Sequence, residues 1–234
     1  MNPFDLQLTL PFRRAPEYAA ADFVPAASNA VARSWLARTS LWPEGRLVLW
    51  GASGVGKTHL LQIWTKAEQG VMLFARELAP ISPPLAHRIA IDALDELQDE
   101  RALLHLLNLA AENRSAVLLA ARTPPASWPL SLPDLKSRLC ATLAVVVKPP
   151  EDHLLAVLLQ RLLAEHQLKV SFAMQSWLLR RLPRTAAALR EAVKRLDERA
   201  LASGSPINRT LAQHALADLL NGGEAAEMED SWNT

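Results

Sequence analysis

Gly51-Ala52-Ser53-Gly54-Val55-Gly56-Lys57-Thr58 fits the G-x-x-x-x-G-K-[ST] pattern at every fixed position. This octapeptide narrows the possible folds sharply, because it works only as the turn between a buried strand and a helix. Arg46-Leu47-Val48-Leu49-Trp50 reads as that strand, and His59-Leu60-Leu61-Gln62-Ile63-Trp64 as the first turns of the helix. Such a turn aims backbone N–H groups and the helix N-terminus at a phosphate. The candidate nucleotide-binding residues are Gly51, Ser53, Gly54, Val55, Gly56, Lys57, Thr58 and His59, and the ligand expected is ADP or ATP. Lys57 is expected to reach the β- and γ-phosphates and the Thr58 hydroxyl to ligate Mg²⁺. The competing reading is a glycine-rich turn that fits the pattern by chance.

The rest of the chain suits that start. Five short apolar runs read as strands: Arg46–Trp50, Val71–Ala75, Arg88–Ile91, Ala116–Ala120 and Ala141–Val147. Helical segments separate several of them, which predicts a parallel sheet covered on both faces. A helix is expected over Asn29–Thr39 and a proline-rich loop around Pro80–Pro84. After Lys148-Pro149-Pro150 the periodicity is helical only, with Leu154, Leu155, Leu158, Leu159 and Leu162 on one face. Ser171 and Thr185 read as N-caps, and a last helix is expected from Arg209 to Leu220, ended by Gly222-Gly223. The expected fold is α/β: a phosphate-loop domain over 17–148 and an all-helical lid over 149–221. An N-terminal tail (1–16) and an acidic, disordered C-terminal tail (222–234) flank them.

At 234 residues the chain can bury a full core. A net charge of +1 argues against a general basic footprint for nucleic acid, so little direct sequence-specific DNA binding is expected. Cys140 is the single cysteine, which excludes an intrachain disulfide and suits a reducing cytoplasm. No signal peptide or membrane-length apolar run is read in the sequence, so no membrane partner is expected.

The layout resembles AAA+ ATPases. Phe23-Val24, Ser28-Asn29, the loop running into His59-Leu60-Leu61, and Leu132-Pro133-Asp134-Leu135-Lys136-Ser137-Arg138-Leu139 resemble the replication initiator DnaA over about Ala20–Leu220. The C-terminal DNA-binding domain of DnaA has no counterpart in the sequence. An AAA+ core of this kind is similar to the Hda-type regulatory inactivators of DnaA. Gln7-Leu8-Thr9-Leu10-Pro11-Phe12 resembles the peptide by which such proteins bind the DNA polymerase III sliding clamp. Gln7, Leu8, Leu10, Pro11 and Phe12 are therefore candidate partner-binding residues. Leu10 and Phe12 can fill an apolar pocket while Pro11 lowers the entropy cost of ordering. The other reading packs this tail onto the chain's own core.

The resemblance also assigns catalytic positions, with departures. Arg88-Ile89-Ala90-Ile91-Asp92 reads as a Walker B strand whose terminal Asp92 holds Mg²⁺ through water; a helix N-cap is the alternative for Asp92. The acid that should follow is replaced by Ala93, and Asp95 and Glu96 are out of register with it. At the sensor 1 position the chain reads Ala120-Ala121-Arg122-Thr123-Pro124-Pro125, so the expected polar group is missing or replaced by Arg122. At sensor 2 stands Ala187, with Arg184 and Arg190 one turn to either side. Binding is expected to survive these changes and turnover to be weak. Arg138 is retained and corresponds to the arginine finger that acts on a neighbour's ATP; a salt bridge with Asp134 is its alternative. These features imply a cytoplasmic, replisome-associated, homo-oligomeric regulator that stimulates hydrolysis of DnaA-bound ATP and restrains initiation. The alternatives are an autonomous AAA+ motor of clamp-loader type and a DNA-binding initiator fragment.

Overall fold

A computed structural model describes residues 23–79, 86–203 and 207–220. The tail residues Gln7, Leu8, Leu10, Pro11 and Phe12, the Pro80–Pro84 loop and the acidic C-terminal segment lie outside the described residues.

The chain begins with α1 (Ala27–Leu36) and alternates strand and helix as β1 (Arg46–Trp50), α2 (Lys57–Ala67), β2 (Val71–Phe74), β3 (Arg88–Asp92), α3 (Glu100–Glu112), β4 (Ala116–Ala121), α4 (Pro133–Ala141) and β5 (Leu143–Val146). All five strands are parallel, in the order β2-β3-β4-β1-β5. The order places β1 inside the sheet, buried on both faces. Its side chains alternate accordingly. Leu47 and Leu49 pack with Leu60, Leu61 and Trp64 of α2. Val48 packs on the opposite face with Leu103, Leu106 and Leu107 of α3 and Leu135 and Leu139 of α4.

Beyond β5 come α5 (Asp152–Glu165), α6 (Phe172–Arg181), α7 (Ala186–Ser203) and α8 (Arg209–Ala215). These helices share their own apolar cluster, centred on Leu159, Leu178, Leu189 and Leu196. Each fully buried leucine there contributes roughly 1.5–3 kcal/mol. Ser171 Oγ accepts from the Met174 N–H and Thr185 Oγ1 from the Ala188 N–H, so both cap the helices that follow.

Element ends differ from expectation for local reasons. The strand expected from Ala141 starts at Leu143, because α4 continues through Ala141 and Thr142 Oγ1 donates to the Arg138 carbonyl at 2.8 Å. The first helix spans Ala27–Leu36, and Thr39 opens a separate 3₁₀ turn. The last helix is interrupted at Leu216, which leaves helical geometry at φ −118° and is fully buried in the lid cluster, and helix resumes over 217–220.

One carboxylate joins the two ends of the fold. Glu151, at the N-cap of α5, accepts from both the backbone N–H and the hydroxyl of Ser28 in the first turn of α1, at 2.7 and 3.0 Å. The first turn of α1 is therefore tied to the root of the lid.

Candidate nucleotide site

Gly51-Ala52-Ser53-Gly54-Val55-Gly56 connects β1 to α2 at the C-terminal end of the sheet. Gly51, Gly54 and Gly56 have φ of 154°, 78° and 100°. A Cβ on Gly51 would lie 2.3 Å from the Val147 carbonyl oxygen, and one on Gly54 2.7 Å from Thr185 Cγ2. The loop is thus pressed against the end of β5 on one side and the start of α7 on the other.

Residues Ser53 through His59 line a cavity of about 300 Å³ together with Asp92, Asp95, Arg122 and Arg190. Gly51 is buried behind the loop and is not among the lining residues. Lys57 Nζ donates to the Gly51 and Ala52 carbonyls at 2.6 and 2.9 Å. Burial pushes the Lys57 pKa down, while the carboxylates of Asp92 and Asp95 raise it and Arg122 lowers it further. The ammonium therefore lies within electrostatic reach of all three.

Thr58 Oγ1 donates to Asp92 Oδ2 at 2.6 Å, and Asp92 Oδ1 accepts from the Ala93 N–H. A hydroxyl and a nearly buried carboxylate side by side form a hard oxygen pair suited to Mg²⁺. The N-cap alternative for Asp92 does not apply, since the short 3₁₀ turn Leu94–Glu96 is preceded by Ala93.

The far wall is apolar: Phe23, Pro150, Leu154, Leu155, Leu158 and Ala186. Phe23 meets His59 edge to face at 5.0 Å. Asn29 shapes the same wall, donating to the Val24 carbonyl and accepting from the Ala26 N–H, each at 3.1 Å. A glycine-rich loop at one end and an apolar wall at the other fit a nucleotide, in which case Lys57 would lie near the phosphates, Thr58 and Asp92 would hold the metal and Phe23 would lie near the base. The metal would supply neutralisation of phosphate charge.

No protein-family profile matches the sequence. Solved structures do. Domain III of the Thermotoga maritima replication initiation protein DnaA superposes with a TM-score of 0.74 at 18% identity, over 88% of this chain and 98% of that one. DnaA bound to AMPPCP and single-stranded DNA gives 0.63 at 15% identity, over 81% and 69%. A RuvB variant from Thermotoga maritima gives 0.60 at 17% identity, over 82% and 68%.

The fold is that of the AAA+ core of these structures.

Within that core the departures become geometric. Ala93 adopts a left-handed conformation, φ 56° and ψ 49°, and turns the chain so that Asp95 re-enters the cavity. Both Asp95 oxygens accept from the Arg122 N–H, at 3.1 and 2.8 Å, and the Arg122 guanidinium lies 3.9 Å from one of them. Arg122 therefore lines the cavity at the end of β4, beside the start of the loop, where Gly51 N–H donates to the Ala121 carbonyl. Of the two arginines near Ala187, Arg190 lines the cavity, whereas Arg184 is absent from that lining and pairs with Asp152.

Arg138 is far from all this. It lies in the last turn of α4, which leads into the start of β5, and its charge acts on Arg46, the first residue of β1. The loop follows the last residue of β1. The five residues of β1, about 16 Å at 3.2–3.4 Å each, thus separate Arg138 from this chain's own phosphate site. Arg138 Nε donates to Asp134 Oδ1 at 3.0 Å, and both side chains are substantially exposed.

Sequence reasoning did not single out Asp95 or Phe23 as cavity residues. The cue for Asp95 would have been a left-handed alanine, which composition does not reveal.

Proposed function

We propose that this chain is a DnaA-like regulatory protein that binds ADP or ATP with Mg²⁺ and acts on ATP held by another subunit. The tail around Gln7, Leu8, Leu10, Pro11 and Phe12 docks on the DNA-loaded sliding clamp, and Arg138 is presented to ATP bound in DnaA. Hydrolysis there yields ADP-bound initiator and restrains re-initiation.

The observation that carries this reading is the placement of Arg138 at the opposite end of the sheet from the chain's own phosphate loop. A planar guanidinium at an exposed helix end can stabilise charge on a transferring phosphoryl group of a neighbour, and fingers of this kind give roughly 10³- to 10⁵-fold. The alanine at position 93 agrees with it, since no carboxylate stands at that position. The exposed pair with Asp134 does not compete strongly, because surface ion pairs contribute about 0–1 kcal/mol.

The test is a mixture of this protein, DNA-loaded clamp and ATP-bound DnaA. Arg138→Ala abolishes stimulated hydrolysis and leaves ADP and clamp binding intact, and Arg138→Lys rescues poorly. Stimulation by Arg138→Ala equal to wild type refutes the mechanism. Rapid hydrolysis by the pure wild-type chain would instead favour an autonomous ATPase.

A further inference from the structure

Glu151 lies in sequence between two residues of the apolar wall, Pro150 and Leu154, yet is not part of the cavity lining. Its carboxylate reaches α1 instead. Oε1 accepts from the Ser28 N–H at 2.7 Å and Oε2 from the Ser28 hydroxyl at 3.0 Å. The Ser28 carbonyl in turn accepts from the Lys148 N–H at 3.1 Å. Every polar group of this buried serine is thus engaged by the stretch 148–151, which joins β5 to α5. The carboxyl of Glu151 is held below the usual carboxylate range, first by its own backbone N–H, against the opposing effect of burial, and then by the hydroxyl and N–H of Ser28. Both bonds to Ser28 are therefore charge-assisted, the stronger kind of hydrogen bond.

The next residue, Asn29, holds the other half of the wall. It is buried, and its bonds to the Val24 carbonyl and the Ala26 N–H fold the stretch Phe23–Ala26 against the first turn of α1. Phe23 ends that stretch with its ring on His59, and its Cε2 would lie 3.9 Å from a Cβ on Gly56. The ring therefore sits beside the last glycine of the loop. Two neighbouring residues of α1 thus join two pieces of one wall. Asn29 holds Phe23 and Val24, and Ser28 holds the segment that carries Pro150 and Leu154. Neither Ser28 nor Glu151 faces the cavity, so the clasp lies behind the lining.

We infer that Glu151 is a positioning residue for the base-binding wall: by clasping Ser28 it fixes Phe23 relative to Pro150 and Leu154, so that a nucleotide base meets a wall already formed. This rests on the reading of the cavity as a nucleotide site. With the clasp broken, the two pieces of wall must be ordered as the ligand binds, and that ordering weakens binding. The loop and Lys57 keep their contacts.

Calorimetry with Mg-ADP on wild type, Glu151→Ala, Phe23→Ala and the double variant tests this. Each single change weakens ADP by about tenfold. The double variant stays within about threefold of Phe23→Ala, because a clasp that acts through the ring has nothing to position once the ring is gone. Glu151→Gln stays within about threefold of wild type, since its amide still offers an acceptor to the Ser28 N–H and a donor to the hydroxyl. Should Glu151→Ala fail to fold, Ser28→Ala takes its place: it deletes the hydroxyl bond alone and costs about threefold in affinity, a loss that vanishes when Phe23 is already alanine. Unchanged ADP affinity in Glu151→Ala or in Phe23→Ala overturns the inference. So do two losses that multiply in the double variant, which mark independent effects. Failure of wild type to bind ADP overturns the nucleotide reading itself, and the inference with it.

Discussion

Replacing Lys57 with alanine tests the nucleotide site most directly. Its ammonium is the one cation of the loop itself, and it already makes two short bonds, to Gly51 and Ala52. A charge-assisted contact to phosphate contributes about 1.5–3 kcal/mol. Reaching a phosphate requires giving up at least one carbonyl contact, which offsets part of the gain. The expected loss is therefore about tenfold to a hundredfold in ADP affinity. A thermal shift assay converts this to temperature. At a hundredfold excess over Kd, ADP stabilises wild type by about 2.7 kcal/mol, and a hundredfold weaker variant retains about 0.4 kcal/mol at the same concentration. For a chain of this size each kcal/mol shifts Tm by about 2–4 °C, so a rise of about 5–11 °C shrinks to about 1–2 °C. Calorimetry with Mg-ADP gives the affinity independently. An unchanged Kd and an unchanged shift would show that the loop does not hold phosphate.

Four further outcomes are expected. Arg122→Ala weakens AMPPCP by about tenfold and ADP much less, since Arg122 lies beside Lys57 where a terminal phosphate is expected; equal losses for both ligands refute this. Arg190→Ala reduces nucleotide affinity in calorimetry, whereas Arg184→Ala, which breaks a pair with Asp152 outside the cavity, leaves it alone. Gly54→Ala lowers Tm through the left-handed φ and the contact with Thr185, and adding Thr185→Ala recovers only the steric share. Acid titration carries a sign: backbone bonds from Ser131 and Leu132 hold the Glu100 carboxyl below its usual range. Its contribution is thus complete above about pH 4.3 and lost as pH falls through the lower folded value, so Glu100→Gln flattens the acid limb of a stability curve.

Much of this was legible in the sequence wherever the signal was local. All five strands were read within two residues of their ends, because buried parallel strands are short apolar runs bounded by turns. The caps at Ser171 and Thr185 were equally plain. The strand start that shifted past Ala141 follows a side-chain hydroxyl closing α4, and the break at Leu216 follows the burial of that leucine in the lid core. The choice between Arg184 and Arg190 was open because helical spacing puts both near one face, whereas in the structure Arg184 precedes the Thr185 cap of α7 and pairs with Asp152. Neither the left-handed turn at Ala93 nor the tie between Ser28 and Glu151 leaves a mark in composition or periodicity.

The turn at Ala93 bears on how new activity would have to be selected in this chain. A left-handed backbone costs a side-chain-bearing residue about 1–2 kcal/mol, and it is tolerated by Asn and Asp far better than by Glu. A carboxylate placed at position 93 would also face Asp95, which the same turn has brought into the cavity and bound to the Arg122 N–H. Two carboxylates on one turn repel. A library that varies position 93 alone samples variants in which the new acid meets that repulsion. Positions 93 and 95 are therefore to be varied together, with pairs in which Asp95 is lost as an acid at 93 is gained compared for hydrolysis.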